Sequence, residues 1–346
     1  MKHIRQAFDG FYDLIKPAVF WATQKDPEIA HVLFIDFCRF LHATKLDKSV
    51  LDNPSNSKKS SMILSPAAGF NKNGEIPPEV IKYLGFDENK VGTVTADQWN
   101  GNPRPRCKRF PKTETLVNWY GLPGLGVDRV ADRIYQQGSQ DIPLTVSVMA
   151  TPGKTGQEAI WDIEKTMRTI AGLPVIKGVE LNISCPNTYT KGQIDSRKHY
   201  EQQAKSMIEV VHRFLSPYQS LDLKVSPDLT PEGVCQTIEI ALPYVKRIVT
   251  ANTTTKHDPR YIPISPGKGG GSGDVVYDPS LKTQKAFYRE ISARNLPLEL
   301  VSCGGINTTA RIEERRAAGA KEIQVYTPFI FKGPRLLRGF REYLSS

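Results

Sequence analysis

The chain has 346 residues, of which 39% are hydrophobic and 24% are charged. This is the composition of an ordinary soluble globular protein, and it excludes a collagen-like, coiled-coil or wholly disordered chain. The net charge of +10 is compatible with a nucleic acid, an anionic lipid surface or an anionic small molecule as partner. No basic run with interleaved aromatic residues is present, so nucleic-acid binding is the least favoured of the three.

The sequence also predicts the cellular compartment of the protein. No stretch approaches the roughly 20 apolar residues that span a bilayer. The N-terminal segment is interrupted by Asp9 and Asp13 and lacks the apolar region of a secretory signal. The cysteines, which form no CxxC pair, are Cys38, Cys107, Cys185, Cys235 and Cys303. Their scatter argues against disulfides and against a metal site built by this chain alone, and it favours the reducing cytoplasm.

The first part of the chain has the apolar spacing of two helices. Apolar side chains recur at helical intervals over residues 4–15 and again over residues 33–41. Pro17 and Pro27 are expected to separate the two helices. The polar, aperiodic stretch 45–61 is expected to be a linker. The pair therefore has an apolar, aromatic face that needs a partner surface.

The remainder alternates between short apolar strands and helical segments. Strands are predicted at 62–67, 90–95, 144–149, 178–184, 221–226, 247–252, 298–303 and 322–327. Helices are predicted near 78–84, 125–137, 156–171, 198–214, 231–241, 280–294, 308–318 and 334–344. Eight alternating units indicate an α/β fold, a (β/α)8 TIM barrel rather than an open sheet. We expect one unit at residues 1–60, the helical pair with its linker, and the barrel at residues 61–346.

The barrel predicts that functional residues lie where its strands end, because active sites of this fold occupy the C-terminal face. Gly304-Gly305 follows the seventh strand and Tyr326-Thr327 follows the eighth, and this is the usual phosphate site of the fold. A simple tight turn is the alternative for the two glycines. We expect an anionic group to bind here.

Charged and amide side chains follow other strands. Lys224 interrupts an otherwise apolar strand, and Lys72 follows the first strand. A lysine in such a place is costly unless it meets an anion, so a ligand is expected, with a structural ion pair as the alternative. Four amides are expected on the same rim: Asn118, Asn182, Asn187 and Asn252. They suit the edge of a flat heterocycle, although any one of them could simply form a turn.

Cys185 ends the fourth strand in a turn bounded by Pro186. A thiol can act as a base or a nucleophile when its surroundings lower its pKa, but a lone cysteine is more often a small buried apolar residue. No histidine is an obvious partner for a Cys–His pair. A proton-abstracting base is therefore favoured over a protease-type nucleophile.

Taken together, the motifs resemble those of dihydroorotate dehydrogenases. They are ELNISCPNT, LKVSPDLT, ANTT, SCGGI and VYTPFIFKGP, with AAGFNKNGE, GTVT and GNPRPR earlier in the chain. The resemblance runs through the whole barrel and most of the N-terminal helices. It implies a TIM barrel that holds FMN and oxidises dihydroorotate to orotate in pyrimidine synthesis.

The resemblance also implies residue roles. Cys185 takes the C5 proton while the C6 hydride passes to the flavin, Lys72 bridges the flavin and the substrate carboxylate, and Lys224 contacts the flavin at N1–O2. The further FMN contacts implied are Ala67, Ala68, Gly69, Gly92, Thr93, Thr253, Gly273, Gly304, Gly305, Tyr326 and Thr327. The substrate contacts implied are Asn118, Gly121, Leu122, Asn182, Asn187, Thr188 and Asn252.

The motifs do not agree on the electron acceptor. The N-terminal helices resemble the extension of members that reduce a quinone at a membrane, and His31 and Arg109 match the quinone-site positions. Such an enzyme would lie on the inner face of a membrane. Cys185 and the sequence Tyr120–Pro123 instead resemble soluble members, which use fumarate or NAD. A lid or dimer-interface role for the helices, a partner subunit with an iron–sulfur cluster, a related pyrimidine as substrate and a catalytically silent FMN barrel remain alternatives.

Overall fold

The chain forms a barrel of parallel strands with helices outside it and a further helical layer from the N-terminus. A computed structural model describes residues 2–52, 60–138, 141–184 and 197–346. The strands are β1 (Ile63–Pro66), β2 (Asn89–Val94), β3 (Cys107–Phe110), β4 (Thr115–Asn118), β5 (Leu144–Val148), β6 (Ile176–Asn182), β7 (Ser220–Val225), β8 (Arg247–Thr250), β9 (Gly270–Gly273), β10 (Glu299–Cys303) and β11 (Ala320–Val325). The helices are α1 (Lys2–Ala22), α2 (Glu28–Ala43), α3 (Asp47–Leu51), α4 (Pro78–Leu84), α5 (Val127–Gln136), α6 (Gly156–Ile170), α7 (Arg197–Phe214), α8 (Pro231–Ala241), α9 (Asp274–Ala293), α10 (Thr309–Ala317), α11 (Thr327–Lys332) and α12 (Pro334–Leu344).

Eight strands form the predicted barrel. Their hydrogen-bonding order is β1-β11-β10-β8-β7-β6-β5-β2, and every pairing in it is parallel. Beyond β1, Asn71 pairs in parallel with Val91 of β2 and brings the two ends of the sheet together. Helices cover the outside of these strands, and the alternate apolar residues Leu144, Val146 and Val148 of β5 are buried in one cluster with helix residues. The predicted TIM barrel is confirmed, with each strand within two residues of its expected ends.

The predicted outer helices are also present, with one clear difference. Helix α9 begins at Asp274 rather than at 280, and it runs through Pro279. A proline near the start of a helix removes a single backbone donor, and the long buried face of α9 outweighs that loss.

Two expectations for the N-terminal segment are wrong. Helix α1 continues through Pro17 to Ala22, so Pro17 does not separate the helices. The stretch expected to be a linker contains α3, where Leu51 is buried and Asp47 accepts a hydrogen bond from His42 at 2.8 Å. Tertiary packing therefore overrides the local signals of a proline and of a polar composition.

Helix α2 packs directly on the barrel. Ile35 and Leu41 are buried in one apolar cluster with Leu64 of β1. The ring of Phe34 meets that of Phe70 edge-on, with centroids 5.7 Å apart. The helix is thus part of the hydrophobic core as well as an extension beside the barrel.

The opposite face of the helical pair remains exposed and apolar. Leu14 is 77% exposed and Trp21 is 75% exposed on α1, and Leu33 and Phe40 of α2 are also exposed. Within the described residues, no helix combines the length and the apolar character needed to cross a membrane.

A small antiparallel sheet was not expected from the sequence. It consists of β3, β4 and β9, with β4 in the middle. Its register places Asn118 opposite Gly270 and Thr115 opposite Gly273. The sheet crosses one side of the barrel mouth, where Asn118 and Gly273 both line the cavity described below.

Candidate functional site

A cavity of about 290 Å³ opens at the C-terminal ends of the barrel strands, where the sequence predicts the site. It extends from the barrel mouth to a space walled by α1 and α2. The candidate residues that line it are His31, Ala67, Ala68, Gly69, Lys72, Thr93, Arg109, Asn118, Gly121, Leu122, Asn182, Lys224, Asn252, Thr253, Gly273, Gly304, Gly305, Tyr326 and Thr327.

Four candidates are not among the described lining residues. Gly92 is not a lining residue, but its carbonyl oxygen accepts a hydrogen bond from the Gly69 amide at 2.6 Å and supports the wall. Cys185, Asn187 and Thr188 lie outside the described residues.

The strand-end amides hold one another in place. The Nδ2 atom of Asn252 donates to Asn182 Oδ1 at 3.2 Å and to Ser184 Oγ at 3.3 Å. Asn182 in turn donates from Nδ2 to Thr93 Oγ1 at 3.3 Å. Asn118 faces the same cavity from the small sheet. A network of this kind fixes the orientation of each amide and presents a polar edge to a flat ligand.

Lys224 stands above a buried charge network inside the barrel. Its Nζ atom lies 3.8 Å from Oε1 of Glu180, and the other oxygen of Glu180 lies 3.3 Å from Nζ of Lys90. Burial raises the pKa of Glu180, but Lys224 and Lys90 outweigh burial and hold it at about 2. The carboxylate of Glu180 is therefore ionised, and it lies beside the ammonium group of Lys224 at the mouth of the barrel.

Lys72 presents a second ammonium group to the cavity. Its Nζ atom lies 4.7 Å from the centre of the Tyr120 ring, within cation–π distance. Burial lowers the pKa of Lys72 to about 8, with Glu28 opposing the shift and Arg106 adding to it. The group is therefore mostly charged at neutral pH and is poised to bind an anion.

The start of α2 is clamped near Lys72. Glu28 accepts two hydrogen bonds from Arg106, each at 2.8 Å. Asp26 accepts one from Arg104 at 2.6 Å. A bidentate arginine–carboxylate pair has a fixed geometry, so this clamp sets where α2 meets the barrel mouth.

Glycines form another part of the cavity wall. Gly305 has a φ of +67°, and a Cβ atom there would lie 2.7 Å from the carbonyl oxygen of Gly273. The hydroxyl group of Thr327 donates a hydrogen bond to Ser272 Oγ at 2.9 Å. Glycine is therefore required at Gly305, and the wall combines exposed backbone with hydroxyl groups, as expected for phosphate binding.

The part of the cavity walled by α1 and α2 is apolar, with two buried polar atoms. Nε2 of His31 and Nη1 of Arg109 have no hydrogen-bond partner among the described residues. The other terminal nitrogen of Arg109 donates to Thr23 Oγ1 at 2.7 Å, and its guanidinium lies 4.2 Å from the Phe20 ring centre. Burial lowers the pKa of His31 to about 4, so its ring is neutral at physiological pH.

Sequence reasoning missed several residues that shape the site. Glu180 and Lys90 interrupt apolar strands just as Lys224 does, and the same rule could have singled them out. Cys107 lines the cavity, and burial raises its pKa. No cluster of three or more possible metal ligands is found in the described part of the chain.

Comparison with known proteins agrees with this geometry. The family model described as "Dihydroorotate dehydrogenase" matches residues 57–346. The "Dihydroorotate dehydrogenase (quinone)" of Coxiella burnetii is 28% identical over 96% of both chains. The protein of the same description from Corynebacterium striatum is 31% identical over 82% of this chain and 76% of that one.

A solved structure shares the fold. The crystal structure of DHODH from Eimeria tenella in complex with ferulenol superimposes with a TM-score of 0.74 and covers 94% of this chain and 93% of that one. Its sequence identity is 24%, so the likeness concerns architecture. The family model spans the whole barrel, and this chain belongs to the dihydroorotate dehydrogenase family.

Proposed function

We propose that this protein oxidises dihydroorotate to orotate with FMN and passes the electrons to a quinone. The observation that carries the proposal is one continuous cavity with two different ends. A polar mouth with lysines and amides suits an anionic heterocycle, and an apolar end between α1 and α2 suits a hydrophobic acceptor. The relatives described as quinone enzymes support the same assignment.

The residues around the mouth fit FMN. The glycine-rich wall with Ser272 and Thr327 suits a phosphate, and the buried, ion-paired Lys224 suits the N1–O2 edge of the ring system. When bound, FMN supplies the hydride acceptor and the route for electrons to the second substrate. The proposed FMN contacts are Ala67, Ala68, Gly69, Lys72, Gly92, Thr93, Lys224, Thr253, Gly273, Gly304, Gly305, Tyr326 and Thr327.

The substrate would lie against the amide network. Lys72 is charged at neutral pH and would pair with the carboxylate, and the amides would bind the ring edge. The proposed substrate contacts are Asn118, Gly121, Leu122, Asn182, Asn187, Thr188 and Asn252. Cys185 would act as the base that takes the C5 proton.

The quinone would enter between α1 and α2. A quinone is an apolar ring with two carbonyl acceptors, and His31 Nε2 and Arg109 Nη1 are buried polar atoms that need partners. We propose residues 1–60 as the acceptor-binding unit, and residues 61–346 as the catalytic barrel. The exposed apolar face of the pair would rest on the surface of a membrane.

The experiment that tests the function follows the two half-reactions separately. Dihydroorotate is added anaerobically to the FMN-loaded protein, and bleaching of the flavin is followed by absorbance. The reduced protein is then mixed with a soluble quinone, fumarate or NAD. We expect bleaching by dihydroorotate and fastest reoxidation by the quinone. Absence of bleaching would overturn the substrate assignment.

A second acceptor assignment rests on one observation. Cys185 and the sequence Tyr120–Pro123 resemble soluble members of the family, and Tyr120 packs against Lys72 in the mouth. Faster reoxidation by fumarate or NAD than by the quinone would establish this alternative.

The role of the exposed apolar face of α1 and α2 is tested separately. Binding of the protein to anionic vesicles would indicate a membrane surface, whereas self-association in sedimentation would indicate a dimer interface.

A further inference from the structure

Arg315 of α10 is buried without a carboxylate partner. Its side chain is 0% exposed. Its guanidinium donates to Ser280 Oγ at 2.5 Å, Gln284 Oε1 at 3.0 Å, and the carbonyl oxygens of Gly304 at 2.9 Å and Tyr277 at 3.3 Å. All these acceptors are neutral, and no ion pair with Arg315 is found in the described ranges. The nearby carboxylate of Glu314 instead accepts a hydrogen bond from the Tyr277 hydroxyl at 2.6 Å.

A buried guanidinium of this kind calls for a counter-charge. A charge removed from water without an opposite charge is unfavourable even when it is hydrogen-bonded. Arg341 is almost as deeply buried, and it forms two bonds of 2.7 Å with Asp87. Burial lowers the pKa of Arg315 to about 10, which leaves it charged at neutral pH. An anion that is not part of the described protein would therefore stabilise this site.

The contacts of Arg315 indicate where that anion would bind. Arg315 holds the carbonyl oxygen of Gly304, and Arg311, which pairs with Asp274 at 2.5 Å, holds that of Gly305 at 2.7 Å. In a trans peptide the N–H points opposite to the C=O, so the amide of Gly305 points away from Arg315. Gly304 and Gly305 both line the cavity. The two arginines thus fix a glycine turn whose backbone donors are available to a ligand.

We propose that Arg315 is a positioning residue for the phosphate of the cofactor. It fixes the Gly304–Gly305 turn from behind, and the negative charge of a phosphate monoester bound to that turn compensates the buried guanidinium. The inference rests on the proposed function, since it takes FMN as the phosphate-bearing ligand. It adds a residue that does not line the cavity and acts through the backbone of residues that do.

The test compares FMN with riboflavin, which has the same ring system but no phosphate. Dissociation constants of both flavins are measured with the full-length, deflavinated protein by quenching of flavin fluorescence. The variants are Arg315→Met and Arg315→Lys, with Arg341→Met as the control for loss of a buried arginine that does not line the cavity. For Arg315→Met we expect FMN binding to weaken by about 10- to 100-fold and riboflavin binding to be nearly unchanged.

Arg341→Met should retain the wild-type preference for FMN. Arg315→Lys keeps the charge but not the planar fork that reaches several acceptors, so its preference should fall between those of wild type and Arg315→Met. If Arg315→Met does not fold, the FMN preference of Arg315→Lys tests the inference. A wild-type preference for FMN in either folded Arg315 variant would overturn the inference. Failure of the wild-type protein to bind either flavin would instead overturn the proposed function.

Discussion

Oε1 of Glu180 lies 3.8 Å from Nζ of Lys224, and both side chains are buried inside the barrel. The second oxygen of the same carboxylate lies 3.3 Å from Nζ of Lys90 and 3.1 Å from Nε2 of Gln324. One buried carboxylate thus pairs with two ammonium groups inside the barrel. The lysine at the mouth is therefore ion-paired to a residue that does not line the cavity.

Replacing Glu180 with glutamine should destabilise the fold. The change keeps the shape but leaves two buried ammonium groups without their shared carboxylate, so we expect a loss of about 3 kcal/mol in the free energy of unfolding. Urea denaturation measures this. Glu239→Gln is the matched control, because Glu239 pairs with Arg294 at 2.7 Å on the surface, where such a pair contributes less than about 1 kcal/mol. Equal losses in both variants would contradict the buried network.

The same residue predicts the acid limit of stability. The pKa of Glu180 is about 2 in the folded protein, whereas the ordinary pKa of a glutamate is 4.5. A depressed carboxyl pKa gives stability that is fully present above pH 4.5 and is lost as the pH falls toward 2. Between these values, the free energy of unfolding should fall more steeply in wild type than in Glu180→Gln. Parallel curves in urea titrations at each pH would refute this.

Lys72 predicts a pH dependence of substrate-site binding. Its pKa of about 8 means that the charged form, which attracts a carboxylate, predominates below pH 8 and disappears above it. Orotate binding, followed by perturbation of the flavin spectrum, should weaken as the pH rises through 8. Lys72→Met should bind about tenfold or more weakly and lose this dependence. Lys268→Met is the control, because Lys268 also lies over an aromatic ring, 5.1 Å from Trp119, but outside the cavity.

The proposed roles of His31 and Arg109 predict that flavin reduction by dihydroorotate and flavin reoxidation by quinone can be affected separately. Arg109→Met and His31→Phe should slow reoxidation by quinone about tenfold or more, since each removes a side chain that we propose as a donor to a quinone oxygen. Bleaching of the flavin by dihydroorotate should be unchanged. Arg289→Gln is the control, because Arg289 of α9 is an exposed arginine that does not line the cavity. Stopped-flow absorbance resolves the two steps, and equal slowing of both would argue against a separate acceptor site.

Cys185→Ser tests the proposed base. A hydroxyl has a much higher pKa than a thiol, so flavin reduction at neutral pH should slow by a factor of about 100 or more and recover as the pH rises. Cys235→Ser, on helix α8, is the matched control and should behave as wild type. An unchanged rate and pH profile in Cys185→Ser would show that another group takes the proton.

The sequence predicts the barrel because its strands are apolar runs of regular length. It does not predict which side chains meet inside the barrel, because those contacts join residues that are far apart in the sequence. Lys224 is recognisable as a charge in an apolar strand, whereas its pairing with Glu180 depends on the register between β6 and β7. Strand β9 consists of Gly270–Gly273 and has no pattern of alternation to detect. The stretch around Arg315 is rich in charge and looks like a solvated helix face, although that side chain is fully buried.

Helix α2 contributes Ile35 and Leu41 to the core and His31 to the cavity wall. Any molecule that binds tightly at the apolar end must therefore also hold α2 against the barrel, and it should raise the melting temperature of the whole protein. Conversely, exchanging this helix with that of a relative would alter core packing along with acceptor choice. Selection on the electron acceptor and selection on folding therefore act on the same helix, so that a change in one of these traits tends to affect the other.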